Sequence, residues 1–178
     1  MPTLNQELHN TSHQSILMRK ARKLGLHSIS DIMQLAVHRG CHHYRNLTNS
    51  GSEITVDHEE ISDDELVILL LHGNNQYEPN AVRCAAQLLK STFVNAAKVS
   101  QLAIRERVVK QLRYIAKIGL NYDSEGSEFW QLILEKLKTK KESDIPECVL
   151  PHKSRFMLDP GIQRGKKLQP FWLNPSER

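Results

Sequence analysis

The sequence is poor in the residues that staple, bend or span. Its three cysteines, Cys41, Cys84 and Cys148, lie far apart and form no C-x-x-C pair. Reduced thiols in a cytoplasmic protein are therefore expected, not a disulfide framework. Glycine and proline number only 8 and 7, which excludes collagen-like and low-complexity chains. The longest apolar run, Leu66-Val67-Ile68-Leu69-Leu70-Leu71, is far shorter than the ~20 residues of a membrane span. The opening Met-Pro-Thr-Leu-Asn-Gln-Glu lacks a basic start followed by an apolar stretch, so no secretory signal is expected. There is no G-x-S-x-G elbow, no P-loop and no G-x-G-x-x-G turn. Without them, three common hydrolase, NTPase and dinucleotide geometries lose their sequence signature.

What remains is a chain of 178 residues, long enough for one domain to bury roughly two-thirds of its unfolded surface without metal or disulfide. A net charge of +4 and a pI near 9.0 permit a polyanionic partner without requiring one. Periodicity divides the chain into a flexible N-terminus (1–13), a helical bundle (14–138, best defined over 61–138) and an extended strap or partly disordered tail (139–178). The expected fold is all-α: an irregular antiparallel bundle of about five to six helices with a non-helical C-terminal tail.

Helix punctuation supports that division. Ile16, Leu17, Ala21 and Leu24 recur with helical spacing before Gly25, and Ile32, Leu35 and Ala36 do so before Gly40. Residues 46–58 are turn-rich, and 53–56 are read as loop for want of a partner strand. Ser62-Asp63-Asp64-Glu65 is a capping box, with the two aspartates placed where the helix dipole favours negative charge. The apolar run after it reads as a helix buried on all sides. Asn80 is expected to cap a helix over 81–90. One long helix is expected from residue 94 or 95 to 118, with Gly119 as its stop. Ser127 is expected to cap a last helix carrying Trp130, Ile133, Leu134 and Leu137 on one face.

Candidate chemistry is sparse. His38, Cys41 and His42, with residues 57–60, could supply metal ligands, but their spacing matches no zinc signature. A structural helix end is the simpler reading, and neither metal nor cofactor is expected. Charge falls in blocks. Residues 19–45 and 90–117 are basic, while 53–65 hold seven acids and no cation. Lys98, Arg105, Lys110, Arg113 and Lys117 could form a phosphate-binding face, or the acidic block could neutralise basic neighbours inside the fold. Val99-Ser100-Gln101-Leu102-Ala103, followed by Val108, Val109, Leu112 and Ile115, resembles the paired helices of helix-turn-helix regulators over about twenty residues. It departs from them in having no turn residue between Ala103 and Val108, so an intact helix is the expected form. Cys84, beside Val82 and Ala85, reads as a core thiol. Near the C-terminus, Phe171, Trp172 and Leu173 are large apolar residues on a non-helical segment. They are expected to dock, either on the chain's own bundle or on a partner.

These readings rank three functions. First is a non-enzymatic interaction or adaptor module whose partner is another protein or a second copy. Second is a nucleic-acid-binding regulator, and third a metal-dependent enzyme built on the His/Cys cluster.

Overall fold

A computed structural model describes residues 15–41, 59–72, 78–140, 156–158, 162–167 and 171–175. The expected flexible N-terminus, the turn-rich 46–58 connection and His42 lie outside those residues. The described fold is all-α, with seven helices: α1 (Ile16–Lys23), α2 (Ile29–His38), α3 (Asp63–Leu71), α4 (Pro79–Leu88), α5 (Ala96–Arg105), α6 (Val109–Tyr122) and α7 (Ser127–Leu137). Four two-residue strands follow: β1 (Met157–Leu158), β2 (Ile162–Gln163), β3 (Lys166–Lys167) and β4 (Phe171–Trp172). β1 pairs antiparallel with β4, and β2 with β3.

α3 is the axis. Leu66 to Leu71 are all at most 1% exposed, because α1, α2, α4 and α5 each pack against this helix. The residues that end α1 and α2 do so for one reason. Gly25 and Gly40 adopt positive φ, and the residues after them donate back into the last turn: Leu26 N–H to the Ala21 carbonyl, Cys41 N–H to the Ala36 carbonyl. This is the Schellman arrangement, in which glycine tolerates the left-handed turn. The returning residues, Leu26 and Cys41, are buried in the core.

Four expectations about helix ends need correction. The long helix over 94–118 is two helices, because Arg107 takes φ +62° and Val108 N–H returns to the Ala103 carbonyl at 2.9 Å. A third Schellman turn, built on arginine instead of glycine, breaks the run that looked continuous. Gly119 does not stop a helix; α6 runs through it to Tyr122. Its missing side chain serves packing, since a Cβ there would overlap the Trp130 ring. Asn80 is not the cap of α4. Pro79 takes the first helical position, and Glu78 caps by accepting from the Asn80 N–H, which suits proline's absent donor. Similarly, α7 starts at Ser127 after Gly126, with no side-chain cap.

α6 and α7 form a hairpin whose floor is Trp130. Its indole N–H donates to Asp123 at 2.7 Å, and the same carboxylate accepts from Lys90 at 2.9 Å. The C-terminal strap closes over this corner. Trp172 is 3% exposed, donates its indole N–H to the Ala86 carbonyl, and lies 5.3 Å from the Trp130 ring and 5.8 Å from Phe156. Gln87 donates to the Asn174 carbonyl at 2.7 Å, pinning the strap beside α4.

Candidate functional site

Three ion pairs meet at the head of α3. Ser62 accepts from the Glu65 N–H and Glu65 accepts from the Ser62 N–H, completing the capping box. The next links run outward. Asp63, buried, accepts from the guanidinium of Arg39 at the end of α2 and from the Ser91 hydroxyl at 3.0 Å. Asp64, also buried, accepts from the Asn95 N–H at 2.7 Å, just before α5, and pairs with Lys98 at 3.0 Å. Glu65 pairs with Lys20 of α1 at 2.7 Å. Three consecutive carboxylates therefore tie α3 to three different places, and their cations come from the two basic blocks of the sequence. Burial works against ionising Glu65. The Lys20 and Ser62 hydrogen bonds and the charges of Lys20 and Lys98 outweigh it and hold its carboxyl below the usual range.

Arg39 also donates to the Ile61 carbonyl at 2.8 Å, so its fork satisfies both a side chain and the turn that leads into α3. A buried pair of this kind is costly to break from one side, roughly 3–5 kcal/mol, because it strands the other charge.

Around these links lies an open cleft of about 550 Å³, lined by His38, Arg39, Glu59, Ile61, Ser62, Asp63, Asp64, Phe93 and Lys98. That size falls in the range of ligand and peptide clefts. Phe93 stands out, since the residue is 66% exposed beside mostly polar neighbours. The turn that carries it is well held. Ser91 accepts from the Phe93 N–H through its hydroxyl, accepts from the Val94 N–H through its carbonyl, and donates to Asp63.

The residues singled out from sequence do not converge. Among the metal candidates, His38 lies on the cleft while Cys41 is buried 1% exposed in the core. Burial pushes the Cys41 thiol up, and Cys84 and Asp63 add to the rise, making it a poor nucleophile. Its Sγ donates to the Cys84 carbonyl at 3.4 Å. Among the described residues, no group of three or more His, Cys, Asp or Glu could hold a metal ion. Of the basic set, Lys98 pairs with Asp64, and Arg105 with Glu106 at 3.2 Å. Arg113 donates to the Leu137 and Lys140 carbonyls at 2.6 and 2.7 Å, closing the end of α7. Arg113 and Lys117 share a second groove with Lys138, whereas Lys98 faces the α3 cleft. Lys110, on α6, lines neither. In the strap, Trp172 is enclosed by the bundle, Leu173 is half-buried and Phe171 is exposed.

The sequence reading missed Phe93, and it took Asp63 and Asp64 for dipole partners alone. One signal was available. A capping box needs a single acid at its fourth position, and this one has three acids in a row. Among the described residues, no helix is long and apolar enough to cross a membrane. Comparisons of the chain with protein-family models, with curated proteins and with solved structures find no match.

Proposed function

We propose that this chain is a non-enzymatic helical interaction module that engages a protein partner through the cleft at the head of α3, with Phe93 as anchor. The observation carrying the reading is the held exposure of Phe93. An exposed phenylalanine forgoes roughly 2 kcal/mol that burial would contribute, and interface energy concentrates on aromatic anchors surrounded by polar rims. Ser91 fixes the turn, so the ring is presented with little ordering cost on binding. The cleft's charges also favour recognition over chemistry. Asp63, Asp64, Arg39 and Lys98 are engaged in links that join helices. The separation of Lys98 from Arg113 and Lys117 supports a protein partner over a continuous phosphate track.

The test is site-specific photo-crosslinking in the native host, with a photoreactive phenylalanine analogue at position 93 and a control at Glu128, exposed on α7. The expected result is one discrete protein adduct at position 93 and none at the control. That adduct is either a second copy or a distinct protein. Equal labelling at both positions would overturn the reading. An adduct removed by nuclease would move it to the nucleic-acid-binding regulator.

A further inference from the structure

We propose that Cys41 and Cys84 form a redox-sensitive pair: hydrogen peroxide joins them as a disulfide that ties the end of α2 to α4, and a dithiol reductant releases it. The two residues are 43 positions apart in the chain, and folding brings them together. Helix α2 packs on α4. The Schellman turn after α2 sends Cys41 inward, its N–H returning to the Ala36 carbonyl at 3.0 Å. Cys41 Sγ donates to the Cys84 carbonyl at 3.4 Å, and the two thiols also interact directly. Both are free and at most 1% exposed, so the surrounding core holds one against the other. A disulfide demands a particular separation and angle, which a pair already in contact can reach with little backbone movement.

The reaction balances with peroxide as the oxidant. The Cys84 thiolate attacks one peroxide oxygen, the O–O bond breaks, and the departing hydroxide takes up the thiol proton as water. Cys84 is left as a sulfenic acid. The Cys41 sulfur then attacks the Cys84 sulfur, the S–S bond forms, the S–O bond breaks, and the Cys41 proton leaves with the hydroxyl as a second water. Two electrons pass from the thiols to the peroxide. Cys41 suits the second role, because burial, the Cys84 thiol and Asp63 together keep its proton in place until an electrophilic sulfur stands beside it.

Burial also selects the oxidant. Only a small molecule reaches the pair through local opening of the α2 end, which disfavours a bulky disulfide such as oxidised glutathione. Once formed, the bond constrains the unfolded chain by closing a long loop. It also stiffens one wall of the cleft, since His38 and Arg39 lie just before Cys41. Nothing in this reaction depends on that cleft having a partner.

The experiment uses the full chain with Cys148→Ser, which leaves this pair as its only thiols. Hydrogen peroxide is expected to remove two hydrogens by intact mass and to link the Cys41 and Cys84 peptides in a non-reducing digest. The melting temperature should rise by about 5 °C or more, and dithiothreitol should reverse all three changes. Oxidised glutathione should react at least tenfold more slowly. Cys41→Ala should leave a sulfenic acid on Cys84 that dimedone traps, while Cys84→Ala should give no such adduct on Cys41. The linkage and melting readouts need neither variant to fold. Oxygen added to either sulfur without a link, a link only between two chains, or a linked form that melts no higher would each overturn the proposal. So would faster reaction with oxidised glutathione, or the reverse pattern of dimedone adducts.

Discussion

Replacing Gly119 with alanine separates two accounts of one residue. If Gly119 only interrupted a helix, Gly119→Ala would stabilise α6 by about 1 kcal/mol through propensity. The structure instead places the Trp130 ring where the new Cβ would stand. That ring cannot easily yield. Trp130 is fully buried, hydrogen-bonded to Asp123, and packed edge-on against Phe129 at 5.0 Å and tilted against Trp172 at 5.3 Å. Overpacking a close-fitted core costs about 1–3 kcal/mol. Displacing the indole N–H from Asp123 adds about 1–3 kcal/mol for a buried donor losing its acceptor, since Asp123 keeps Lys90. Set against the propensity gain, the net loss is about 3 kcal/mol, or roughly 6–12 °C in Tm for a chain of this size. Thermal melts followed by far-ultraviolet circular dichroism and tryptophan fluorescence would read it. In a Trp130→Leu background the same alanine should become neutral or stabilising, which makes the coupling visible in a double-mutant cycle. A Gly119→Ala protein that melts at or above the wild-type temperature would refute the reasoning.

Three further outcomes are expected. Arg107→Gly should raise stability by roughly 0.5–1 kcal/mol, since a left-handed turn costs a non-glycine residue about 1–2 kcal/mol and glycine's added chain entropy offsets only part of it; calorimetry showing a lower Tm would contradict this. Trp172→Ala should cost about 3–5 kcal/mol in urea unfolding, and a loss below 1 kcal/mol would mean the strap is not part of the folded core. His72 sets a pH dependence. Burial pushes its imidazole down, Glu106 pulls against this, and Arg22 adds to the depression. With the folded value below the ordinary 6.5, the unfolded chain takes up the proton first. Stability is therefore full above 6.5 and falls as pH drops through the window beneath it. His72→Gln should flatten that slope between pH 6.5 and the folded value, and an unchanged slope would assign it elsewhere.

Much of the architecture was legible because it rests on local physics. The capping box at Ser62, the glycine stops at 25 and 40 and the all-round apolar run of α3 depend on neighbours in sequence, and all are found. What was not legible depends on residues distant in the chain. Gly119 reads as a stop until Trp130 is seen against it. The break at Arg107 carries no glycine or proline, and its left-handed turn is held by the Val108 N–H returning to the Ala103 carbonyl with Val108 itself buried in the core. Asp63 and Asp64 look like dipole partners until Arg39, Ser91, Asn95 and Lys98 are brought to them. The candidate site was legible only in its charge blocks, since complementary blocks imply pairing but not which residues pair. Phe93 has no sequence signature, because the exposure of one aromatic in a turn is decided by how the flanking helices pack.

The row of carboxylates at Asp63, Asp64 and Glu65 has a consequence for how this chain can vary over time. Each of the three faces a different direction, about 100° apart around the helix, and each meets a separate segment. Inserting or deleting one residue between Ser62 and Leu66 would turn the whole set by that angle, so all three attachments would be lost in one event. Substitutions there can be absorbed singly, but changes of length cannot. Length variation among descendants of this sequence should therefore collect on either side of this run and leave its spacing intact.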